Sequence, residues 1–107
     1  MTVSDLLKDS AFTSLSLPYP EREIKGVYIG DLLSWVMGRA NADSAWITIM
    51  SNINVIAVAS LADVSTVIFA EGVIPGEDLV RTAVAKGVNL ICSSLPAYET
   101  AIKLSGI

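Results

Sequence analysis

The chain has 107 residues, 52% hydrophobic and 17% charged, and its 7 Lys and Arg against 11 Asp and Glu leave a net charge of −4. That length suits one domain with one core and is too short for two. Basic residues scattered singly form no stripe that could track a phosphate backbone, which counts against nucleic acid, while a single cysteine, Cys92, and the absence of histidine rule out an internal disulfide, a cysteine-held cluster and a Cys/His zinc site.

Ser4 before Asp5-Leu6-Leu7-Lys8-Asp9 predicts a short capped first helix. Thr13-Ser14-Leu15-Ser16-Leu17 alternates with period two, as a half-exposed strand does, and Pro18-Tyr19-Pro20 stops it. A second strand over Glu23–Ile29 leads through Gly30-Asp31 into a helix over Leu32–Ala40. At helical spacing Leu32, Leu33, Val36, Met37 and Ala40 form its inner stripe, and Trp35 falls outside it. That tryptophan either caps a crevice, packs across an interface, or is half-buried against its own subunit.

The apolar run Ala45–Met50 reads as a strand covered on both faces, as parallel strands are. After Ser51-Asn52 comes Ile53–Ala62, a helix apolar on every side, which must be covered on every side. One sheet covers one side, so the far side is expected to meet a second subunit through Val55, Val58, Ala59 and Ala62, with Trp35 beside them. The strand, polar turn, helix plan then repeats: Thr66–Ala70 with Glu77–Lys86, and Val88–Cys92 with a final helix opened by Ser93-Ser94-Leu95-Pro96. The helix Glu77–Lys86 has acids in its first turn, Lys86 in its last and Gly87 just beyond, with Leu79, Val80, Ala83 and Val84 inward. In the final helix Ala97, Tyr98, Ala101, Ile102 and Leu104 are expected inward. This alternation predicts an α/β domain with a mainly parallel sheet, helices on both faces, and the two N-terminal strands completing its edge. The longest apolar stretch breaks at Ser51-Asn52, short of the roughly 18 residues a spanning helix needs, so no membrane is expected and a cytoplasmic location is.

Ligands in open α/β sheets sit beyond the carboxyl ends of the strands. That rule nominates three turns, Met50-Ser51-Asn52-Ile53-Asn54, Ala70-Glu71-Gly72 with Pro75-Gly76, and Cys92-Ser93-Ser94, where free helix amides could receive a phosphate or carboxylate and Thr48, Ser51, Asn52, Ser93 and Ser94 could select its polar groups; Gly30 and Asp31 at the turn after the second strand are counted with them as ligand candidates. The alternative is that these residues are caps and turn formers. Asp31 and Glu71 are the acids placed for acid–base work, which would need a second polarised group nearby; histidine is absent, and Lys25 is the nearest plausible partner in sequence. Cys92, ahead of a helix start, is either a thiol of lowered pKa or a small buried hydrophobe. No metal site and no cofactor are expected.

Glu21-Arg22-Glu23-Ile24-Lys25-Gly26-Val27, Gly30-Asp31-Leu32-Leu33-Ser34, Trp46-Ile47-Thr48, Asn54 with Ala57-Val58-Ala59-Ser60, Glu71-Gly72 with Pro75, and Tyr98-Glu99 form a pattern along nearly the whole chain. It resembles the DRTGG domain, whose named motif keeps Arg22 and Gly26 here, while Glu21, Lys25 and Val27 replace its aspartate, threonine and second glycine. The resemblance implies a fold similar to the N-terminal domain of HPr kinase/phosphorylase. It also implies a regulatory or dimerising role, as such domains have inside phosphotransacetylases and between CBS domains of regulated pyrophosphatases. Free-standing versions occur near iron hydrogenase components and sensor kinases, which implies a redox or signalling protein partner. With one cysteine and no Gly-x-x-x-x-Gly-Lys-Ser/Thr loop the chain is itself neither hydrogenase nor kinase. The expected function is a non-catalytic homodimeric module sensing a small anionic metabolite or nucleotide; a small enzyme acting on a phosphorylated substrate and a ligand-free adaptor are the alternatives.

Overall fold

The computed structural model describes residues 1–106. In chain order its elements are α1 (Val3–Leu6), β1 (Phe12–Ser16), β2 (Gly26–Ile29), α2 (Leu33–Arg39), β3 (Ser44–Thr48), α3 (Asn54–Ala62), β4 (Thr66–Phe69), α4 (Glu77–Lys86), β5 (Leu90–Ser93) and α5 (Ala97–Lys103). The strands form one sheet of order β1-β5-β4-β3-β2. β2, β3, β4 and β5 are parallel and β1 runs antiparallel beside β5. The expected mainly parallel α/β fold is therefore the observed one, with the two N-terminal strands at opposite edges.

From β2 to β5 each crossover moves one strand in the same direction, so right-handed connections place α2, α3 and α4 side by side on one face. α1 and α5 cover the other. Alternation along each strand then builds two cores: Trp46, Val67, Phe69 and Leu90 point to the three-helix face, and Ala45, Ile47, Ile68 and Ile91 to the two-helix face. This accounts for the unbroken apolar runs in β3 and β4, which are buried throughout.

The same layout corrects the expectation for α3. Its neighbours α2 and α4 flank it, so Val55, Val58 (9% exposed) and Ala59 are buried within their own subunit, and Ala62 is half-buried. What α3 and its capping Ile53 leave outside is Ile53, Asn54, Ala57, Ser60 and Leu61. Several inner stripes are also narrower than their spacing suggests: Leu32, Met37 and Val84 are exposed. In α5, Tyr98 (72% exposed) and Ile102 (49%) point outward, because buried Thr100 takes the inner position and shares a 2.7 Å hydrogen bond with Ser93 Oγ. The first helix starts earlier than expected: Thr2, not Ser4, is its N-cap, in a capping box with Asp5.

Between β1 and β2 the chain crosses beneath the amino ends of the parallel strands. Asn89 fixes it first, accepting from the Tyr19 amide at 2.9 Å and donating to the Tyr19 and Ser65 carbonyls. Farther on, Arg22 Nη2 donates to Asp43 Oδ1 at 3.1 Å, to Asp63 Oδ1 at 2.8 Å and to the Asp63 carbonyl. Asp43 and Asp63 both adopt left-handed backbone (φ 64° and 57°) at the turns leading toward β3 and β4. Among the described residues no helix is long and apolar enough to cross a membrane.

Candidate functional site

β2 and β3 are stitched together at their carboxyl ends. Gly30 donates its amide to the Ile47 carbonyl at 3.1 Å and accepts from Trp46 Nε1 at 2.8 Å. Asp31 Oδ1 then accepts from the Thr48 hydroxyl at 2.8 Å and the Ile49 amide at 3.0 Å, while Thr48 Oγ1 accepts from the Met50 amide. These side-chain bonds take over amides that a longer β3 would have used, which is why the strand ends at Thr48. Thr48 is only 2% exposed and its hydroxyl is fully occupied, so it braces the loop.

β4 ends at a tighter turn. Glu71 and Gly72 are both left-handed (φ 63° and 69°), and their amides donate to the Leu95 carbonyl at 2.8 Å and the Ser93 carbonyl at 2.9 Å. The Glu71 side chain is exposed and carries no hydrogen bond or ion pair among the described residues. Asp31, Thr48 and Glu71, distant in sequence, thus meet around one crevice of about 320 Å³, walled by Ile29, Ile47, Ile49, Ala70 and Ala97.

The other nominated residues lie elsewhere. Exposed Ser51 and Asn52 enter α3, where Asn52 Oδ1 accepts from the Asn54 amide at 2.9 Å; Asn54 lies instead at a groove between α3 and α4 with Thr82 and Lys86. Buried Ser93 accepts from the Leu95 amide at 3.1 Å and pairs with Thr100, which makes it a brace for the turn into α5. Exposed Ser94 is fixed by its amide to the Ala11 carbonyl. Burial pushes the Cys92 thiol above its ordinary range, and the thiol donates to the Val73 carbonyl, so it matches the small-hydrophobe reading and not the activated one. Trp35 is half exposed with the Arg39 guanidinium 3.8 Å above its ring. Sequence reasoning missed the apolar wall; the signal was available in Ile29 and Ile49, which follow the strand alternation past the end of helical cover.

Among the described residues no Lys or Arg lines the crevice, and its two carboxylates make it negative. Its walls suit a flat apolar group, and its acids suit a ligand that donates hydrogen bonds. Among the described residues no three His, Cys, Asp or Glu side chains converge as a metal site would require.

No protein-family model matches the sequence, and no curated protein matches it. In fold the chain is similar to the crystal structure of the CBS and DRTGG domains of the regulatory region of Clostridium perfringens pyrophosphatase complexed with its activator, diadenosine tetraphosphate. The TM-score is 0.75 at 11% identity over 96% of this chain, which spans 45% of that one. The likeness is one of fold, and it supports a DRTGG-like α/β architecture over the part of the chain it covers.

Proposed function

We propose that the chain is a non-catalytic regulatory module that binds a small metabolite at the crevice between β2, β3 and β4, and that it works as a homodimer beside a protein partner. The observation that carries the non-catalytic reading is the use of the polar groups at the strand ends. The Thr48 and Ser93 hydroxyls and one oxygen of Asp31 hold the loops, which leaves no nucleophile paired with a base among the described residues at these strand ends. Glu71 stands alone. The small-enzyme alternative would need a second group to polarise it.

The ligand chemistry follows from the charge. A phosphate placed among Asp31, Glu71 and apolar walls meets like charge and no cation, so an anionic metabolite would enter with its uncharged end first. A nucleotide meets that description: its base fits against Ile29, Ile47 and Ile49, and its hydroxyls and amino groups can donate to the carboxylates. Thermal shift against adenosine, its mono- and triphosphates, diadenosine tetraphosphate and inorganic phosphate tests this. A ligand at 100 times its Kd adds about 2.7 kcal/mol of stability. Shifts with the nucleosides and none with phosphate are expected, and Glu71→Gln should weaken them. A panel without any shift would overturn the sensor reading and favour the ligand-free adaptor.

A further inference from the structure

The two edges of the sheet are built differently. β1 is guarded: its exposed residues are Thr13 and Ser14, its pairing with β5 is interrupted between Ser14 and Ser16, and Pro18 follows. Such devices prevent edge-to-edge association. β2 has none of them. Its outermost residues are Val27 (37% exposed) and Ile29 (50%), which continue the face of Ala45 and Ile47 to the edge of the cover that α5 gives β3, where Ala97 of α5 shares the crevice with Ile29. Because the Gly30 amide faces β3, two-residue alternation turns Tyr28 and Gly26 toward β3 as well. The amides and carbonyls of Val27 and Ile29 therefore face outward along an open edge.

β2 with the glycine that follows it reads Gly26-Val27-Tyr28-Ile29-Gly30, which about Tyr28 sets glycine against glycine and one branched apolar residue against another. We propose that the β2 edge is the homodimer contact, pairing antiparallel with β2 of a second copy about a two-fold axis at Tyr28, so that two five-stranded sheets become one. This specifies the homodimer of the proposed function, and does not depend on the ligand.

In that register Val27 lies opposite the partner's Ile29, and these are the two positions whose backbone groups point outward, so both form hydrogen-bonded pairs. Gly26 meets the partner's Gly30, where absent side chains let the strands approach. Shifting the axis by one residue loses these matches. Centred on Val27 or on Ile29, the pairing no longer sets Val27 against the partner's Ile29 or glycine against glycine. The two-fold axis stands perpendicular to the sheet, so Val27 and Ile29 of both copies make one apolar floor on the α5 face. Each α5 lies over its own β3, about 14 Å from the other across three strand spacings. Lys103 bonds Asp9 on the α1 side, and the exposed residues of α5 include Tyr98 and Ile102.

Two measurements test the arrangement. Val27→Lys places a charge on the floor at a position where a subunit alone can keep it solvated. By sedimentation equilibrium it should raise the dimer Kd roughly 100-fold or more with the circular dichroism spectrum unchanged. Register is read by disulfide formation in a Cys92→Ala background. Val27→Cys and Ile29→Cys chains should cross-link when mixed and not when oxidised separately, because residue 27 of one copy faces residue 29 of the other. A wild-type monomer at every accessible concentration overturns the homodimer itself. A wild-type dimer that Val27→Lys leaves intact, or that cross-links without mixing, overturns the β2 edge while leaving the homodimer standing. Should Val27→Lys fail to fold, the mixed cross-link decides alone.

Discussion

At the scale of single residues, the polar side chains that stand out in the sequence divide into those that hold the fold and those that face outward. Arg22 belongs to the first group. It reaches two left-handed turns at once, and only a long planar cation with several donors can do so. Arg22→Ala should cost about 1–3 kcal/mol, read as a lower midpoint in urea denaturation with an unchanged slope, and Arg22→Lys should recover only part of it. Equal midpoints for wild type and Arg22→Ala would mean that the two turns hold themselves. The same division explains Cys92. Its half-buried thiol, bonded to the Val73 carbonyl and shifted upward by burial, should react with a disulfide reagent more slowly in the native protein than in urea, by about 10-fold or more. A native rate equal to the unfolded one would show the thiol to be accessible and activated. From sequence, the polar character of Asp31, Thr48 and Ser93 was legible, but whether each oxygen would be spent inside the fold was not: Asp31 and Thr48 depend on two strand ends 17 residues apart meeting, and Ser93 on the turn that brings Thr100 of α5 back over it.

At the scale of elements, strands and helices were largely readable because apolar periodicity is a local property. β4, α4 and β5 lie within two residues of their expected bounds. α3 shows where local reading stops. Its all-round apolar character does require cover on every side, but the cover comes from α2 and α4, which depends on all three crossovers taking one face. α1 is a different case: it has four residues, too few to stand alone, and is held by its ends. Asp5 is lowered in pKa by the Thr2 backbone amide and then Lys8, and Asp9 by the Ala11 amide and then Lys103. A folded-state pKa below the unfolded one means that the unfolded chain binds more protons in the interval between the two values. The contribution is present above the unfolded pKa, near 3.9, and is lost as pH falls through the folded values. Amide exchange in residues 2–11 should therefore accelerate as pH drops below about 4, beyond the trend of the rest of the chain, and Asp9→Asn should flatten that response. An unaltered response in Asp9→Asn would place the acid sensitivity elsewhere.

At the scale of the molecule, a single thin sheet separates two cores that share no side chains, and the question is whether they melt as one. Trp46 and Phe69 lie on the three-helix face; Ile68, one residue before Phe69, lies on the other. The backbone couples them: every strand between the faces is bonded to its neighbour, and α5 is locked to the end of β5 through Ser93 and Thr100. A chain of this length has little stability to divide, of the order of 5–15 kcal/mol in total, and neither half covers its sheet face without the other half present to bury the reverse. Ile68→Val removes one methylene from the two-helix core and should cost about 0.5–1.5 kcal/mol. In a Trp35→Phe background, Trp46 fluorescence reports the opposite core. One cooperative unit predicts that the fluorescence transition and the circular dichroism transition both move by that amount and remain superimposed. If the fluorescence midpoint stayed in place while the circular dichroism midpoint fell, the two layers would be unfolding separately, and α1 with α5 would be a detachable cover on a stable three-helix sheet.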